Sequence, residues 1–290
     1  MTPGRLAITG AGGRLGRALV DALVGAGRQV IPWGRPDYDL DDPPAAARLV
    51  ARDRPGIVIH SAAWTDVDGC ARDPQLALRR NATATGELAS ACAAAGVDLV
   101  LISTNEVFDG ARTDGRGYRE QDDPGPINAY GRSKLAGEDV ARRAGPARLW
   151  IVRTAWLFGP PGEDFPAKLV AASDRLPPGE PLRVVADEVG SPTFTRDLAA
   201  GIAALLDVPP DTYHLTSEGS TSRADWAEAV LAATGRRRAI QRIGQRAFER
   251  PSRPPLWGVL DTSRARAAGV TLRPWREALG DYLASRSTPR

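Results

Sequence analysis

The sequence predicts an α/β protein built on a parallel β-sheet with helices on both faces. Along the first half of the chain, short segments that are apolar throughout alternate with segments whose apolar residues have helical spacing. Strands that are apolar throughout are typical of parallel sheets buried on both faces. In addition, a glycine cluster at 10–16 stands between the first apolar segment and the first helix, which indicates the start of a βαβ unit.

The elements of the first half follow in a regular order. Strands are predicted at 6–9, 29–33, 56–60, 98–103 and 149–153, and helices at 17–27, 45–52, 74–95 and 130–143. Ligands of such sheets bind beyond the carboxyl ends of the strands. A binding site is therefore expected in the segments that follow the strands, namely 10–16, 62–65, 103–105 and 154–156.

The second half loses this alternation. Helices are predicted at 165–172, 195–206, 222–233 and 275–284, strands at 182–185 and 212–215, and proline-rich breaks at 177–178, 209–210 and 251–255. The whole pattern predicts a Rossmann-type, doubly wound parallel sheet with a smaller, interleaved C-terminal substrate domain. We expect a dinucleotide-binding domain over 1–158, with later contributions around 195–216, and a mainly substrate-binding domain over 159–290.

The composition narrows the class of protein. The chain has 290 residues, 42% hydrophobic and 25% charged, with a net charge of +3, which is ordinary for a soluble globular protein. The basic run 236–238 is weak support for nucleic-acid binding, so no nucleic acid is expected as a partner. Cys70 and Cys92 imply neither a disulfide framework nor a metal site. Because no signal segment and no apolar run of about 20 residues is found, we expect a cytoplasmic protein that is not in a membrane.

The glycine cluster has the spacing G-x-x-G-x-x-G, formed by Gly10, Gly13 and Gly16. These glycines permit a tight turn and a close approach of the backbone, so that a pyrophosphate can bind at the helix N-terminus. A tight β–α turn alone also favours glycine, but the strand–turn–helix context favours a dinucleotide. The other cofactor contacts predicted in this loop are Gly12, Arg14 and Leu15.

The end of the second predicted strand lacks the acidic residue that binds the ribose 2′-hydroxyl of NAD. Trp33, Gly34 and Arg35 stand there instead, and Arg14 lies in the glycine loop. Arginine pairs well with phosphate, so the sequence favours NADPH as the cofactor. NADH is the alternative if these arginines only face solvent.

Tyr130 and Lys134 are four residues apart in a predicted helix, so their side chains share one helix face. A tyrosine with its ordinary pKa of about 10 is a poor acid at neutral pH. We expect the lysine to stabilise the phenolate and lower that pKa, which suits acid–base catalysis. Alone, this spacing more often reflects packing beside a solvated lysine. Ser103 and Thr104 at an earlier strand end, together with the glycine turn, favour the catalytic interpretation.

This combination resembles the extended short-chain dehydrogenase/reductase superfamily. A more specific resemblance, over essentially the full length, is to the dTDP-4-dehydrorhamnose reductase family. The segments that carry it are S-A-A-W-T-D-V-D at 61–68, I-S-T-N-E-V-F-D-G at 102–110, R-T-A-W at 153–156, G-S-P-T at 190–193, Y-H-L at 213–215 and R-P at 253–254.

The resemblance implies a role for each catalytic residue. Tyr130 would protonate the 4-keto oxygen of a sugar as hydride arrives from the nicotinamide. Lys134 would hold the nicotinamide ribose hydroxyls and lower the pKa of Tyr130, and Thr104 would orient the carbonyl oxygen. Asn81, in the long helix, is expected to bond backbone or water and not to react.

The resemblance also implies contacts farther from the reacting atoms. Asp39 and Leu40 would lie beside the adenine, and Ala62 and Ala63 beside the cofactor ribose. Trp156 is similar to a family tryptophan that walls the sugar site, with an ordinary core position as the alternative. The substrate contacts that we expect are Thr104, Asn105, Glu106, Trp156 and Arg253.

Two departures from the family pattern are visible. The family has Asp-Tyr where this chain has Asn105 and Glu106, and Ala71 stands where the family often has glutamate. Because the 105–106 pair faces the sugar in the family, a glutamate in place of tyrosine bears on which hexulose is accepted. Neither departure touches the path of the proton or the hydride.

The resemblance therefore implies an NADPH-dependent reductase of a dTDP-linked 4-keto-6-deoxy sugar, with dTDP-4-dehydro-L-rhamnose as the leading substrate. Three alternatives stay open. They are a 4-ketoreductase of another dTDP-deoxysugar in natural-product biosynthesis, a non-catalytic nucleotide-binding regulatory subunit, and an epimerase or dehydratase on the same scaffold. A homodimer is compatible with the sequence but is not determined by it.

Overall fold

The computed structural model describes residues 4–287, and its centre is a six-stranded parallel sheet. The strands are β1 (Leu6–Thr9), β2 (Val30–Trp33), β3 (Ile57–His60), β4 (Asp98–Thr104), β5 (Leu149–Thr154), β6 (Leu157–Phe158), β7 (Leu182–Val185), β8 (Val189–Gly190), β9 (Thr193–Phe194), β10 (Thr212–His214), β11 (Ser217–Glu218), β12 (Thr221–Ser222), β13 (Ile240–Ile243) and β14 (Leu272–Pro274). The sheet has the order β10-β5-β4-β3-β1-β2, and its neighbouring strands are parallel. The predicted fold class is confirmed.

Helices cover both faces of this sheet and build the C-terminal lobe. They are α1 (Arg14–Gly25), α2 (Ala45–Asp53), α3 (Val67–Arg72), α4 (Pro74–Leu78), α5 (Ala84–Ala95), α6 (Ala129–Ala144), α7 (Phe165–Arg175), α8 (Thr195–Leu205), α9 (Arg223–Ala233), α10 (Ser263–Ala267) and α11 (Trp275–Ser287). None of the helices between residues 4 and 287 has the length and apolar character needed to span a membrane.

The predicted elements of the first half agree with the structure to within a few residues, with two exceptions. The segment 74–95, predicted as one helix, consists of α4, a π-helical turn at Arg79–Thr83 and α5. Helix α3 was not predicted. It begins after Asp66, whose side chain accepts a hydrogen bond from the backbone N–H of Gly69 at 3.0 Å, an N-cap that gains stability by satisfying a free donor.

The strand side chains alternate between two apolar layers, as a sheet buried on both faces requires. Leu6 and Ile8 pack with α1 and α8 on one face, whereas Ala7 packs with α2 and α5 on the other. Burial of each large aliphatic side chain contributes about 1.5–3 kcal/mol. These two layers hold the carboxyl ends of β1, β3, β4 and β5 at one common edge.

The C-terminal lobe has a core of its own. Phe158, Trp226 and Tyr282 are fully buried there, among residues of α7, α9, α11 and the parallel pair β7–β13. The predicted limits of the two domains, 1–158 and 159–290, stay a prediction, and residues 1–3 and 288–290 of those ranges lie outside the described part of the chain. Strand β10, from the later segment, completes the central sheet next to β5.

Candidate active site

The glycine turn is packed so closely that two of its glycines cannot be replaced without movement. A Cβ at Gly16 would lie 2.1 Å from the carbonyl oxygen of Gly10, and Gly10 itself has a φ of +65°. A Cβ at Gly10 would lie 2.9 Å from Ala62, so this turn also contacts the segment after β3. Gly12, in contrast, has nothing within 4 Å of an added Cβ. The turn is therefore tightly packed against the protein at Gly10 and Gly16, whereas the space beside Gly12 is open.

This geometry fits a dinucleotide. Helix α1 has Gly13 as its N-cap, and no side chain caps its first N–H groups. Such groups bind phosphate well. The turn borders a cavity of about 550 Å³ at the point where the chain passes from β1 to β2 on one side and β3 on the other, which is where dinucleotides bind in these sheets. The cavity is lined by Gly10, Gly12, Gly13, Gly34, Arg35, Tyr38, Asp39, Leu40, Asp41, Ser61, Ala62, Ala63, Trp64 and Arg80.

The side chains of two residues of the turn are directed away from the cavity lining. The guanidinium of Arg14 donates hydrogen bonds to the carbonyl oxygens of Gly159 (2.8 Å) and Glu163 (3.1 Å) in the C-terminal half. The side chain of Leu15 is buried in the apolar layer below α1. Neither residue lines the cavity, and their predicted contacts with the cofactor stay a prediction. Arg35 is the arginine that lines the cavity at the end of β2.

An ion pair that the sequence did not reveal closes one side of the cavity. Arg80 binds both carboxylate oxygens of Asp41, at distances from 2.5 to 3.1 Å, and its guanidinium lies 5.3 Å from the ring centroid of Trp64. The two charged residues are 39 positions apart, so no local pattern indicates the pair. Asp41 follows the predicted contact Leu40, and Trp64 follows the predicted contact Ala63, but nothing in the sequence indicated Arg80.

Tyr130 and Lys134 lie on the first two turns of α6, next to the end of β4. Asn128 caps this helix, since its side-chain oxygen accepts a hydrogen bond from the N–H of Gly131 at 2.8 Å. The Lys134 ammonium donates to the carbonyl oxygen of Ile102 in β4 at 2.8 Å. Thr104, the last residue of β4, acts on the Tyr130 phenol and lowers its pKa. The structure therefore brings together the three residues that the sequence assigned to catalysis.

Close backbone packing fixes the start of α6. A Cβ at Gly131 would lie 2.0 Å from the carbonyl oxygen of Glu106, so only glycine permits this approach of α6 to the 3₁₀ turn Asn105–Val107. Tyr130, which precedes this glycine, is held against the turn that follows Thr104.

The electrostatics of the pair differ from the prediction. The pKa of Tyr130 is raised, because the phenol is buried and because the Glu106 carboxylate disfavours a nearby phenolate, whereas Thr104 lowers it. The predicted lowering of this pKa by Lys134 is therefore wrong for the structure as it stands. Burial lowers the pKa of Lys134 to about 8, against an opposing effect of Glu138. Tyr130 is thus held in its protonated form at neutral pH.

A buried charge network lies beneath Lys134. The Glu138 carboxylate accepts two hydrogen bonds from Arg153, at 2.9 and 2.7 Å, and one from Ser103 at 2.6 Å. Glu138 and Arg153 are both fully buried, and charges at such depth persist only when they are paired. This network joins α6 to β4 and β5.

Asn81, in the π-helical turn, connects the cavity to the catalytic helix. Its side chain accepts from the N–H of Trp64 at 2.8 Å and donates to the carbonyl oxygen of Trp64 at 3.0 Å and to the hydroxyl of Ser133 at 3.0 Å. Ser133 lies one residue before Lys134. The predicted bonding of Asn81 to backbone is confirmed, while its having no part in the reaction stays a prediction.

The residues predicted to face the sugar make mixed contacts. The Asn105 amide donates to the carbonyl oxygen of Gly258 at 3.1 Å and is buried. Glu106 accepts from the Asn128 amide at 2.6 Å, and burial raises its pKa. Arg253 joins this cluster through its carbonyl oxygen, which accepts from the Asn128 amide at 3.2 Å, while its side chain is exposed. Of these three residues, Glu106 is the one whose charge changes the pKa of Tyr130.

Comparison with known proteins now identifies the family. A family model described as the RmlD substrate binding domain matches residues 4–287. This chain belongs to the RmlD substrate binding domain family. Within it, a dTDP-4-dehydrorhamnose reductase of Mycolicibacterium smegmatis is 41% identical over 97% of this chain and 85% of that protein. A dTDP-4-keto-6-deoxy-D-glucose reductase of Streptomyces niveus is 37% identical over 95% of both chains.

A solved structure agrees with the sequence relatives. The crystal structure of a dTDP-4-dehydrorhamnose reductase from Bacillus anthracis in complex with NADP has a TM-score of 0.91 and 31% identity, and the alignment covers 98% of this chain and 100% of that chain. The fold described above is therefore similar to that of a solved dTDP-4-dehydrorhamnose reductase.

One residue of this RmlD-family site was missed from the sequence altogether. The guanidinium of Arg223 lies 3.5 Å from the ring centroid of Trp156, so that face of the predicted sugar-site tryptophan is covered by a cation. Trp156 also stacks on Trp226, with ring centroids 5.8 Å apart. No sequence signal marked Arg223, because it stands 67 positions from Trp156 at an ordinary helix start. In residues 4–287, no group of three His, Cys, Asp or Glu side chains is placed to hold a metal ion.

Proposed function

We propose that this chain is an NADPH-dependent reductase that converts the 4-keto group of dTDP-4-dehydro-L-rhamnose to the alcohol of dTDP-L-rhamnose. The observation that carries the proposal is the convergence of Thr104, Tyr130 and Lys134 at the end of β4. Asn81 joins α6, the helix that holds the last two of these residues, to Trp64, in the wall of the cavity at the glycine turn. Membership of the RmlD family and the names of its relatives support the same reaction class.

The reaction requires a hydride at C4 of the sugar and a proton on its O4. The hydride would come from NADPH when that cofactor is bound. Tyr130 donates its phenolic proton to O4. Burial and the Glu106 carboxylate raise the pKa of the phenol and weaken it as an acid, whereas Thr104 lowers that pKa and favours the transfer. Thr104 donates a hydrogen bond that orients the same oxygen. The Lys134 ammonium, anchored on the carbonyl oxygen of Ile102, has further donors for the ribose hydroxyls of the cofactor.

Arg35 supports the choice of NADPH over NADH. It lines the cavity where the 2′-phosphate of NADPH would extend beyond β2, and a guanidinium pairs with phosphate through charge-assisted hydrogen bonds. In Arg35→Ala we expect KM for NADPH to rise about tenfold or more, with KM for NADH nearly unchanged. Arg14→Ala is the matched comparison, because that side chain bonds the C-terminal half instead. An unchanged cofactor preference in Arg35→Ala would remove Arg35 from this role.

The proposed reaction is tested by NADPH consumption with dTDP-4-dehydro-L-rhamnose, with the product identified by NMR. Tyr130→Phe is the control, since it removes only the proton donor and is expected to bind NADPH while losing turnover by about 10²-fold or more. Binding of NADPH by the wild type without any turnover of this sugar contradicts the proposal.

A second candidate is reduction of another dTDP-4-keto sugar. Glu106 favours it, because the side chain beside Tyr130 differs from the tyrosine of the family pattern. A panel of dTDP-4-keto sugars, assayed side by side, separates the two candidates. A non-catalytic regulatory subunit would take first place if Tyr130→Phe preserved the biological activity.

We also infer a cytoplasmic enzyme, since Cys70 and Cys92 are buried and unpaired and free thiols are typical of reducing compartments. A homodimer stays a prediction, which size-exclusion chromatography with light scattering would test.

A further inference from the structure

Arg223 is placed unusually for an arginine at a helix start. It follows Ser222, the N-cap of α9, and its guanidinium carbon lies 3.5 Å from the ring centroid of Trp156. The ring centroids of Phe165 and Trp226 lie 5.4 and 5.8 Å from the same carbon. Arginine packs well on aromatic rings because its charge is delocalised and weakly hydrated. These three rings restrict the position of the guanidinium.

The hydrogen-bonding capacity of this guanidinium is largely unused. A guanidinium has five N–H donors, and among residues 4–287 its ionic contact is with Glu188 at 3.6 Å, while its side chain is 22% exposed. Burial lowers the pKa of Arg223 to about 10, against opposing effects of Glu188 and Glu106, so the group stays charged at neutral pH. Arg223 therefore holds donors that a ligand in the cleft can use.

Glu106 offers the complementary acceptor. Its Oε2 accepts from the Asn128 amide at 2.6 Å, and the described part of the chain provides no other hydrogen bond to this carboxylate. Arg223 favours its ionised form, whereas burial disfavours it. Glu106 also acts on the Tyr130 phenol electrostatically. Both groups are tied to the same segment of the chain. Asn128, which bonds Glu106, also bonds the carbonyl oxygen of Arg253, and Glu188, the ionic partner of Arg223, accepts from Gln245, which also bonds the carbonyl oxygen of Pro254.

We infer that Glu106 and Arg223 are specificity-determining residues that hydrogen-bond hydroxyl groups of the sugar ring, so that the site prefers 6-deoxyhexos-4-uloses with their 2- and 3-hydroxyls to 2-deoxy counterparts. This inference rests on the proposed function. A buried polar group left without a partner is costly, and sites built to bind a hydroxyl reject analogues that lack it.

The charges around Arg223 favour hydroxyls over the diphosphate of the substrate. Two carboxylates, of Glu106 and Glu188, act on this one guanidinium. Arg250, the other cation that acts on Glu106, is itself paired with Asp68 at 3.0 Å. The local charge is therefore not positive, and a diphosphate would be repelled where neutral hydroxyls are accepted.

The test compares kcat/KM of Arg223→Met for dTDP-4-dehydro-L-rhamnose and for its 2-deoxy counterpart, both with NADPH. Methionine keeps a long side chain on Trp156 but has no donors. We expect kcat/KM for the hydroxylated sugar to fall about ten- to a hundredfold, and that for the 2-deoxy sugar to fall less than about threefold. Glu106→Gln is expected to reduce the same preference. Arg242→Met is the matched control with an unchanged preference, because Arg242 is exposed and binds Asp225 and Glu228 outside the cleft.

Three results would overturn the inference. One is an equal loss for both sugars, and another is an unchanged preference in Arg223→Met. The third is a loss of affinity for dTDP alone by the same factor, which would place the diphosphate at Arg223. Unchanged NADPH affinity and Tm show that the Arg223→Met variant is folded. If that variant does not fold, the test is repeated with Arg223→Lys, whose ammonium lacks the planar fork of the guanidinium. Failure of the proposed function is distinct, because the wild type itself would then turn over neither sugar.

Discussion

Replacing Glu138 by glutamine is expected to lower the free energy of unfolding by about 3–5 kcal/mol. The carboxylate is fully buried and holds two hydrogen bonds from Arg153 and one from Ser103. Glutamine keeps the shape and one acceptor oxygen, but it leaves the guanidinium of Arg153, 2% exposed, without its counter-charge. A loss of this size is a large part of the 5–15 kcal/mol that is typical of a folded domain.

The same substitution is expected to change the pH dependence of activity. Burial lowers the pKa of Lys134 to about 8, and the Glu138 carboxylate opposes that lowering. Without this negative charge the pKa of Lys134 falls further, so its ammonium is lost at a lower pH. The alkaline limb of the kcat/KM profile should therefore move to lower pH in Glu138→Gln, whereas a purely structural effect would not move it.

Urea unfolding measures the first effect and a pH profile of kcat/KM the second. Asp139→Asn is the matched control, because Asp139 is exposed and lies 3.5 Å from Arg142, and surface pairs of this kind contribute about 0–1 kcal/mol. The double variant with Arg153→Met should recover part of the loss, since it removes the unpaired cation. A loss below about 1 kcal/mol together with an unmoved alkaline limb would refute this reasoning.

Three further predictions concern pH and the glycine turn. In the wild type, kcat/KM should fall about tenfold per pH unit above the Lys134 pKa of about 8, and a profile flat to pH 10 would contradict it. His60 and His214 are buried with pKa values lowered to about 3, so the unfolded chain binds protons first as pH falls. Each histidine should therefore lower the free energy of unfolding by about 2 kcal/mol between about pH 7 and 5. Urea unfolding at the two pH values should show a smaller decrease in His214→Asn than in the wild type. By the same measurement, Gly16→Ala should lower the free energy of unfolding by about 1–3 kcal/mol, because its Cβ would lie 2.1 Å from a backbone oxygen. Gly12→Ala should leave it nearly unchanged, because nothing lies within 4 Å of the added Cβ.

The central sheet was predictable because its strands are buried on both faces, and such strands must be apolar throughout. Strand β4 illustrates this, since each residue of 99–104 is buried. The π-helical turn at Arg79–Thr83 was not predictable, because its residues have the composition and spacing of an ordinary helix. Its effect appears only in three dimensions, where it turns Asn81 toward Trp64 and Ser133.

The site was predictable to the extent that its residues are fixed by neighbours in sequence. Tyr130 and Lys134 share a face because one helix holds both, and Thr104 is placed by the end of β4. The guanidinium of Arg14 is instead directed by carbonyl oxygens 145 and 149 positions away, and Arg223 by an indole in another element. Long side chains take their direction from such partners, which local spacing does not encode.

The pKa of Tyr130 is set by groups that oppose one another. Burial and the Glu106 carboxylate raise it and weaken the phenol as an acid, whereas Thr104 lowers it toward the range that proton donation needs. The Asn128 amide holds Glu106 at 2.6 Å and its carbonyl oxygen caps the helix that carries Tyr130. The charge that acts on the phenol and the backbone that positions it are therefore joined through one side chain. The same carboxylate raises the pKa of Tyr130, so a sugar hydroxyl that bonds to Glu106 would also change the acidity of its own proton donor.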